Sequence, residues 1–349
     1  MKILLINLKH LGDVILTTPL VGSLKAYDPS CSITMLVDKG MEEAVSGTPM
    51  IDEVLALERK ETLKEEMISQ WHLIGKLRHH QFDLSIDAGA ADRGAFLSWL
   101  SRAKMRIGYI PLRRKQAWRA KLFTHPVPDR SNFKHTVLHH LDLLLPLGIQ
   151  PVEKEVLFGF TSQDVEKVNT ILHKAFTRLP KPYVVIHPTS RWMFKSWTPQ
   201  GYAEVAEYLI KDRGWSVILT CAPVEAEKAF LNEITARSSL PLINIGGELS
   251  LRELGALISK AIFFFGVDTA PMHIAAALKI PTVALFGPSG EHMWGPWGEG
   301  HLVIKKNWDC RPCGKAGCDD TGISRCLVEI TPEEVITKLE GFFKERGLV

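Results

Sequence analysis

The chain lacks any long uncharged apolar run. The apolar start, residues 3–8, is too short for the core of a signal peptide and is ended by Lys9. No other stretch reaches the roughly 20 apolar residues that a membrane-spanning helix needs. We therefore expect a cytoplasmic protein. Its 349 residues are 46% hydrophobic, which is enough to bury a large core.

The chain also lacks the glycine pattern G-x-G-x-x-G in either half, which argues against a dinucleotide-dependent dehydrogenase. Net charge is low, at +3, yet residues 93–128 hold nine Lys or Arg and no Asp or Glu. Such a segment is typical of a solvated basic face, or of a surface that binds an anionic ligand, an acidic membrane or nucleic acid. Nucleic acid is disfavoured because the chain has no recognised nucleic-acid module.

Cysteine is scarce, with six residues. Cys31 and Cys221 lie in strand-like contexts and are expected to pack in the core. The other four cluster in one Gly-rich, charged segment: Cys310, Cys313, Cys318 and Cys326. A C-x-x-C pair with two further thiols predicts either a structural zinc site or reduced loop thiols, and spacing leaves both open.

Apolar strand-like runs alternate with helical patterns along both halves, as in parallel sheets flanked by helices. The first half has such runs up to residue 110, followed by a helix pattern at 135–145, and the second half restarts at residues 183–187. We predict an α/β protein with two doubly wound domains, at residues 1–160 and 161–330, facing a central cleft. Residues 331–349 form a C-terminal helix.

Residues 266–289, GVDTAPMHIAAALKIPTVALFGPS, follow an apolar strand-like run. Asp268 and Thr269 are typical capping residues, and Pro271 suits the first helical position. The unsatisfied amides and the dipole of such a helix favour a diphosphate. An ordinary βαβ crossover is the alternative, but an acid, a hydroxyl and His273 at one helix start favour a binding site.

The string KHLGD at residues 9–13 follows the first strand. Gly12 permits close backbone approach, and Asp13 lies at the edge where open α/β sheets bind ligands. Asp13 is either a helix cap or a carboxylate base, held ionised by the helix start, that accepts a proton from a hydroxyl. The residues TTP at 17–19 either start a helix at Pro19 or kink one already begun.

A polar and aromatic loop, HPTSRWMFKSW at residues 187–197, follows the strand of the second half. Thr189 and Ser190 offer hydroxyls to phosphate oxygens, and Lys195 neutralises charge on a departing diphosphate or is a solvated surface lysine. After the next strand, Glu225 either holds ribose hydroxyls or caps a helix.

Three strings carry a family resemblance: KILLINLKHLGDVILTTP, HPTSRWMFKSW and GVDTAPMHIAAAL. In this order and spacing they resemble the lipopolysaccharide core heptosyltransferases, family 9 of the glycosyltransferases, and the likeness runs almost end to end. The aromatic residues ahead of Lys195 are most similar to the heptosyltransferase III branch.

The resemblance implies a GT-B fold of two Rossmann-like domains, with an ADP-heptose donor in the C-terminal half and a lipid A inner-core acceptor in the N-terminal half. It implies inverting chemistry without a cofactor or catalytic metal, and Asp13 as catalytic base. The implied donor-binding residues are Thr189, Ser190, Lys195, Glu225, Asp268, Thr269, Ala270 and His273. Glu227 is the alternative to Glu225. Family members often have Gly after the Asp-Thr pair, and Ala270-Pro271 here leaves the number of free N–H donors open.

The basic segment would then bind phosphates and acidic sugars of the acceptor, through Arg113, Arg114, Lys115, Arg119 and Lys121. The same charge would hold a monomeric enzyme peripherally at the inner face of the inner membrane. Alternatives are heptosyltransferase I or II, a non-catalytic nucleotide-sugar-binding protein, and a nucleotide-sugar epimerase or hydrolase.

Overall fold

A computed structural model describes residues 1–59, 61–111, 114–175 and 182–348 of the chain. It separates into two compact units, Met1–Gly159 and Phe160–Val349. Each unit is built on one six-stranded sheet whose strands are all parallel. Within the ranges described, no helix combines the length and the apolar character needed to cross a membrane.

The first unit has strands β1 (Lys2–Asn7), β2 (Ser32–Asp38), β3 (Glu53–Leu57), β4 (Leu84–Asp87), β5 (Met105–Ile110) and β6 (His125–Pro128). Their order across the sheet is β3-β2-β1-β4-β5-β6. Apolar runs predict the first five of these strands. The sixth has no such signal because Pro126 and Pro128 interrupt it, and these prolines are tolerated because β6 is an edge strand.

The helices of the first unit are α1 (Leu11–Ile15), α2 (Thr18–Tyr27), α3 (Leu63–His80), α4 (Asp92–Leu100) and α5 (Thr136–Leu141). Pro19 lies in the first turn of α2, so the residues TTP start a new helix. The helix predicted over residues 135–145 corresponds to α5, which is shorter than predicted and ends at Leu141. After α5 the chain forms a 3-10 segment, Asp142–Leu147, which contains Pro146 and so cannot continue the α-helical hydrogen bonds.

The second unit has strands β7 (Tyr183–His187), β8 (Ser216–Leu219), β9 (Ile243–Asn244), β10 (Phe264–Val267), β11 (Thr282–Leu285) and β12 (Leu302–Ile304). Their order is β12-β11-β10-β7-β8-β9, which repeats the topology of the first unit. The predicted strand at residues 183–187 is confirmed, and the apolar strand-like run ahead of residue 266 forms β10, which extends to Val267.

The helices of the second unit are α6 (Ser162–Ala175), α7 (Pro199–Lys211), α8 (Glu225–Arg237), α9 (Leu251–Ile258), α10 (Ala270–Ala277), α11 (Glu291–Trp294), α12 (Arg325–Val328) and α13 (Pro332–Glu345). The helix α13 packs on the core of this unit through Val335, Leu339 and Phe343. Its start at Thr331 is a capping box with Glu334.

Each sheet has a switch point, where the strand order changes direction. In the first unit it lies between β1 and β4, and in the second between β7 and β10. Ligands of doubly wound proteins bind outside the carboxyl ends of strands at such points. The segments that carry Asp13, Lys195 and Asp268 follow β1, β7 and β10 respectively, so each is placed at a switch point.

Candidate active site

An ion pair joins the loops that follow β7 and β10. The Nζ of Lys195 lies 2.6 Å from Oδ2 of Asp268. The two side chains are only 16% and 10% exposed, so the pair is largely removed from water. The ammonium also lies 5.0 Å from the centre of the Trp192 ring, within cation–π range. The structure therefore brings together two loops that the sequence singled out separately.

Trp197 anchors the loop two residues after the lysine. Its side chain is 2% exposed, and its Nε1 donates a hydrogen bond to the carbonyl of Ile330 at 2.9 Å. Gly201 in α7 leaves space for the indole, since a Cβ there would lie 2.4 Å from a ring carbon. The backbone that presents Lys195 is thus fixed by packing against the core of the second unit.

Thr189 is turned into the protein. The residue is fully buried, and its hydroxyl donates to Oε2 of Glu227 at 2.6 Å. The same oxygen accepts the N–H of Ala222 at 3.1 Å. Glu227 is itself buried, so it serves as an internal acceptor that ties the loops after β7 and β8 together. Glu225 is exposed in the first turn of α8.

Ser190 forms a local turn. Its hydroxyl accepts the N–H of Trp192 at 3.1 Å and donates to the carbonyl of the same residue at 3.0 Å. The residue is 4% exposed. Both hydroxyls that the sequence offers to a diphosphate, those of Thr189 and Ser190, are therefore engaged within the protein, and each would have to rotate to donate to a phosphate.

The helix α10 begins at Ala270. Thr269 occupies the N-cap position, but its side chain makes no capping hydrogen bond within the described structure, and the Asp268 carboxylate is committed to the ion pair above. Thr269 thus takes the predicted N-cap position without a side-chain capping bond to any described residue, and Asp268 lies one residue before the cap. Pro271 lies in the first turn and has no N–H, which reduces the donors that this turn offers to an anion. His273 is buried.

Two strands approach closely at the switch point of the second sheet. Gly266 of β10 pairs with His187 of β7, and a Cβ on the glycine would lie 2.6 Å from the carbonyl oxygen of His187. The His187 ring meets the hydroxyl of Thr220 at 3.0 Å, and its burial lowers its pKa to about 3. This imidazole is therefore a neutral internal group at physiological pH.

Asp13 lies in the first turn of α1 and is 8% exposed. Burial raises the pKa of its carboxyl, and the charges of Lys9 and His10 partly offset that effect. The sequence predicts that the helix start keeps Asp13 ionised. In the structure burial has the larger effect, and it favours the protonated form. The side chain of Asn7 fixes the turn, since its amide donates to the backbone carbonyl of Asp13 at 3.1 Å and to the Thr17 hydroxyl.

A second acid lies at the first switch point. Asp87 ends β4 and is fully buried, and Gly89 donates its N–H to Oδ1 at 3.0 Å. Burial raises the pKa of Asp87 to about 7, although Arg119 lies near. The Arg119 Nη2 is 3.9 Å from Oδ2 of Asp87, and neither atom has a hydrogen-bond partner among the described residues. Sequence reasoning missed Asp87, although its position after the apolar end of β4 was a usable signal.

The basic segment is only partly a surface of free cations. Arg113 lies outside the described residues, as do the side chains of Arg114 and Lys115. Lys121 is exposed. Arg119 is not a surface cation, because its side chain is 2% exposed and drawn into the unit by two aspartates, one of them the buried acid described above.

Cys31 and Cys221 pack in the core as expected, but of the four cysteines predicted in one loop, Cys326 is buried in α12. Cys31 and Cys221 are buried. In the C-terminal segment Cys310 and Cys313 are exposed, Cys318 is intermediate and Cys326 is buried. Among the described residues no cluster of three or more His, Cys, Asp or Glu is arranged to hold a metal ion, and the zinc site stays a prediction.

Comparison with known proteins identifies relatives over most of the chain. Lipopolysaccharide heptosyltransferase 3 of Escherichia coli is 33% identical over 288 residues, covering 82% of this chain and 83% of that protein. Lipopolysaccharide heptosyltransferase 1 of Pseudomonas aeruginosa is 26% identical and covers 97% of each chain.

Solved structures show the same fold. A family 9 glycosyl transferase from Veillonella parvula superposes with a TM-score of 0.85 at 20% identity, over 99% of this chain and 97% of that one. E. coli ADP-heptose LPS heptosyltransferase II gives a TM-score of 0.79 at 23% identity, over 99% and 100%. The predicted fold class, α/β of the GT-B type with two doubly wound sheets, is confirmed.

The model of glycosyltransferase family 9 (heptosyltransferase) matches residues 70–323. This match covers most of the chain and includes the loops after β7 and β10. Together with the E. coli relative, it shows that the chain belongs to glycosyltransferase family 9.

Proposed function

We propose that this protein is an inverting heptosyltransferase that moves heptose from ADP-L-glycero-β-D-manno-heptose to the inner core of lipopolysaccharide. The observation that carries the proposal is the Lys195–Asp268 pair, which holds an ammonium group at the switch point of the second sheet. A nucleotide-sugar diphosphate is the ligand that this place and this charge fit. Relatives that cover most of this chain are lipopolysaccharide heptosyltransferases by name.

On the donor side, Lys195 neutralises the negative charge that grows on the diphosphate as its bond to the sugar breaks. Asp268 positions the ammonium before the donor arrives. The start of α10 lies beside this pair and adds its dipole. The exposed Glu225 accepts hydrogen bonds from the ribose hydroxyls. The lysine charge supports ADP departure without a catalytic metal ion or another cofactor.

On the acceptor side, Asp13 is the general base. The acceptor hydroxyl gives its proton to the Asp13 carboxylate while its oxygen forms a bond to the anomeric carbon and ADP leaves from the opposite face. This displacement inverts the configuration at that carbon. A carboxyl whose pKa is raised by burial holds the transferred proton better than an ordinary aspartate does, so burial favours this role.

The heptosyltransferase III branch is the favoured assignment. The E. coli heptosyltransferase 3 relative is 33% identical, against 26% for the P. aeruginosa heptosyltransferase 1 and 24% for heptosyltransferase 2 of Salmonella typhimurium. An earlier core acceptor, as used by branches I or II, is the alternative within the same chemistry. The product formed from defined core acceptors distinguishes them.

Because the acceptor carries a lipid anchor, the proposed enzyme works on the cytoplasmic side in peripheral contact with the inner membrane, and we propose that it does so as a monomer. Lys121 is an exposed cation of the basic segment that meets the acidic groups of the core oligosaccharide. Its contribution falls as salt screens the attraction.

The test is ADP release by the purified protein, with and without a truncated core lipid. The proposal expects ADP only when both ADP-heptose and acceptor are present, with one added heptose in the product. Donor turnover without acceptor would indicate an epimerase or a hydrolase. Donor binding without turnover, with or without acceptor, would indicate a non-catalytic binding protein. Either of these two results would overturn the proposal.

A further inference from the structure

The helix α3 turns an apolar face to solvent. Met67, Ile68 and Trp71 are 61%, 48% and 64% exposed. Their spacing of three and four residues places them on one side of the helix. On the other side Leu73 and Leu77 are buried in the core of the first unit. Surface helices normally place polar residues outward, so an exposed apolar face of this kind indicates an interaction surface.

The helix α4 and the following 3-10 segment, Arg114–Leu122, extend this face. Phe96 and Trp99 on α4 are 45% and 49% exposed, and Trp118 on the 3-10 segment is 37% exposed. The rings of Phe96 and Trp118 pack together, with centroids 5.2 Å apart. Three large aromatic side chains therefore stand at the surface beside α3.

Hydrogen bonds hold α3 and α4 side by side. Arg93 donates to Oε1 of Glu66 at 2.7 Å, and Nε of Arg78 donates to the carbonyl of Leu100 at 3.2 Å. Leu97 of α4 lies in the same buried cluster as the leucines of α3. The six exposed residues thus belong to one layer, and we call them the aromatic face: Met67, Ile68, Trp71, Phe96, Trp99 and Trp118.

Cations border the aromatic face. Lys64 lies one helical turn before Ile68, Arg102 follows the end of α4, and Lys121 lies one 3-10 turn after Trp118. All three cations are exposed, and none forms an ion pair within the part of the chain that the structure describes. The surface therefore combines apolar and aromatic side chains with three cations that no ion pair among the described residues neutralises, although the exposed carboxylates of Glu65 and Asp92 also lie at its border.

We propose that the aromatic face docks on the surface of an anionic phospholipid bilayer. Tryptophan and phenylalanine insert at the level of the lipid headgroups, while the bordering cations bind anionic headgroups. The inference rests on the proposed function, because a lipid-anchored acceptor has to be reached at a membrane. A second copy of the chain fits less well, since a two-fold contact through this face would bring like charges together.

The test is flotation with vesicles of phosphatidylglycerol and phosphatidylethanolamine. The variant Met67→Gln/Ile68→Gln/Trp71→Gln should need at least tenfold more lipid for half-maximal binding than wild type. The control Tyr27→Gln removes a side chain that is equally exposed, at 64%, and should bind within twofold of wild type. Phosphatidylcholine vesicles should bind wild type at least tenfold more weakly. Equal flotation of the triple variant and wild type would overturn the proposal, as would a wild-type dimer that the triple variant abolishes.

Transferase assays separate this inference from the proposed function. The triple variant should release ADP as fast as wild type with a deacylated, lipid-free core acceptor, and at least fivefold more slowly with the acceptor in vesicles. Equal losses with both acceptors would overturn the docking role. If wild type transfers to neither acceptor, the proposed function fails while flotation still decides the docking. Trp99→Gln replaces the triple variant if that protein shows no cooperative unfolding transition.

Discussion

The Nζ of Lys195 lies 2.6 Å from Oδ2 of Asp268, although the two residues are 73 positions apart in the sequence. The pair joins two neighbouring parallel strands just past their carboxyl ends, so one ion pair fixes the relation of both loops at the switch point. An ammonium held by a single carboxylate and mostly shielded from water is prepared to bind a second anion.

Replacing Lys195 should reduce turnover more than donor affinity. In Lys195→Ala we expect kcat for ADP release to fall by about 10²–10³-fold, because the charge on the departing diphosphate is no longer stabilised. The control Lys260→Ala removes an exposed lysine of the same unit and should leave kcat unchanged. A rise in KM for donor with unchanged kcat would contradict the assigned role.

Asp13→Asn should abolish most transfer while preserving donor binding. We expect kcat to fall by about 10²–10⁴-fold, the usual contribution of a general base. In wild type the base form must be ionised, so kcat/KM should decline as pH falls through the raised pKa of Asp13, at a pH above that of an ordinary aspartate. Steady-state rates between pH 4 and 8 test this. If the residual kcat/KM of the asparagine variant declined at low pH as that of wild type does, Asp13 would not be the titrating base.

Asp87 should make stability fall as pH rises. Its carboxyl has a pKa of about 7 in the folded protein and 3.8 as a model group, so between these values the folded state holds the proton more tightly than the unfolded state does. This contribution to stability is present at low pH, decreases by up to about 1.4 kcal/mol per pH unit between pH 4 and 7, and is constant above.

Thermal unfolding of Asp87→Asn beside wild type isolates this effect. The difference in Tm, variant minus wild type, should increase from pH 5 to pH 8, because only wild type carries the pH-dependent cost. The attraction of Arg119 acts only on the ionised carboxyl and is already contained in the folded-state pKa of Asp87, so it is part of this pH dependence. A difference in Tm that is independent of pH would contradict the raised pKa.

Local patterns predicted the elements that position the site. An apolar run ending at His187 defines β7, and Thr198 accepts the N–H of Gly201 at the start of α7 because Ser, Thr and Asp favour the N-cap. Ser250 and Glu253, three residues apart, form a capping box at the start of α9 for the same reason. These signals are short-range, so they can be read without knowing the tertiary fold.

Contacts between distant segments were not predictable in this way. Thr189 looks like a free hydroxyl in its own loop, and only the fold brings Glu227 to it from another helix. Arg119 stands in a strongly basic stretch, and only the position of β4 reveals that it is drawn inward to Asp87. Charge patterns along a sequence do not distinguish a surface cation from one buried against a distant acid.

Gly266→Ala should destabilise the second unit and displace the loop that carries Asp268. The added Cβ would lie 2.6 Å from the His187 carbonyl oxygen, a backbone atom that cannot move without shifting β7. We expect a loss of about 1–3 kcal/mol in the free energy of unfolding. Gly341→Ala, in the middle of α13 with open space around it, should instead stabilise by about 0.5–1 kcal/mol. Denaturant titration of both variants provides the comparison.

The final prediction separates two acids that lie two positions apart. Glu225 is exposed, so Glu225→Ala should change the free energy of unfolding by less than about 0.5 kcal/mol. Loss of a ribose contact worth about 1–1.5 kcal/mol should raise KM for ADP-heptose by about tenfold. Glu227→Ala leaves the Thr189 hydroxyl and the Ala222 N–H without their acceptor, and should destabilise the protein by about 1–3 kcal/mol.

Denaturant unfolding and donor-saturation kinetics on the two alanine variants resolve the assignment. The opposite pattern, in which Glu227→Ala raises KM without loss of stability and Glu225→Ala does nothing, would assign the ribose contact to Glu227. That result would also require the Glu227 carboxylate to leave Thr189 when donor binds, because its Oε2 already accepts two hydrogen bonds in this structure. The exposed carboxylate of Glu225 reaches a ribose without breaking an internal contact, which is why we expect the first pattern.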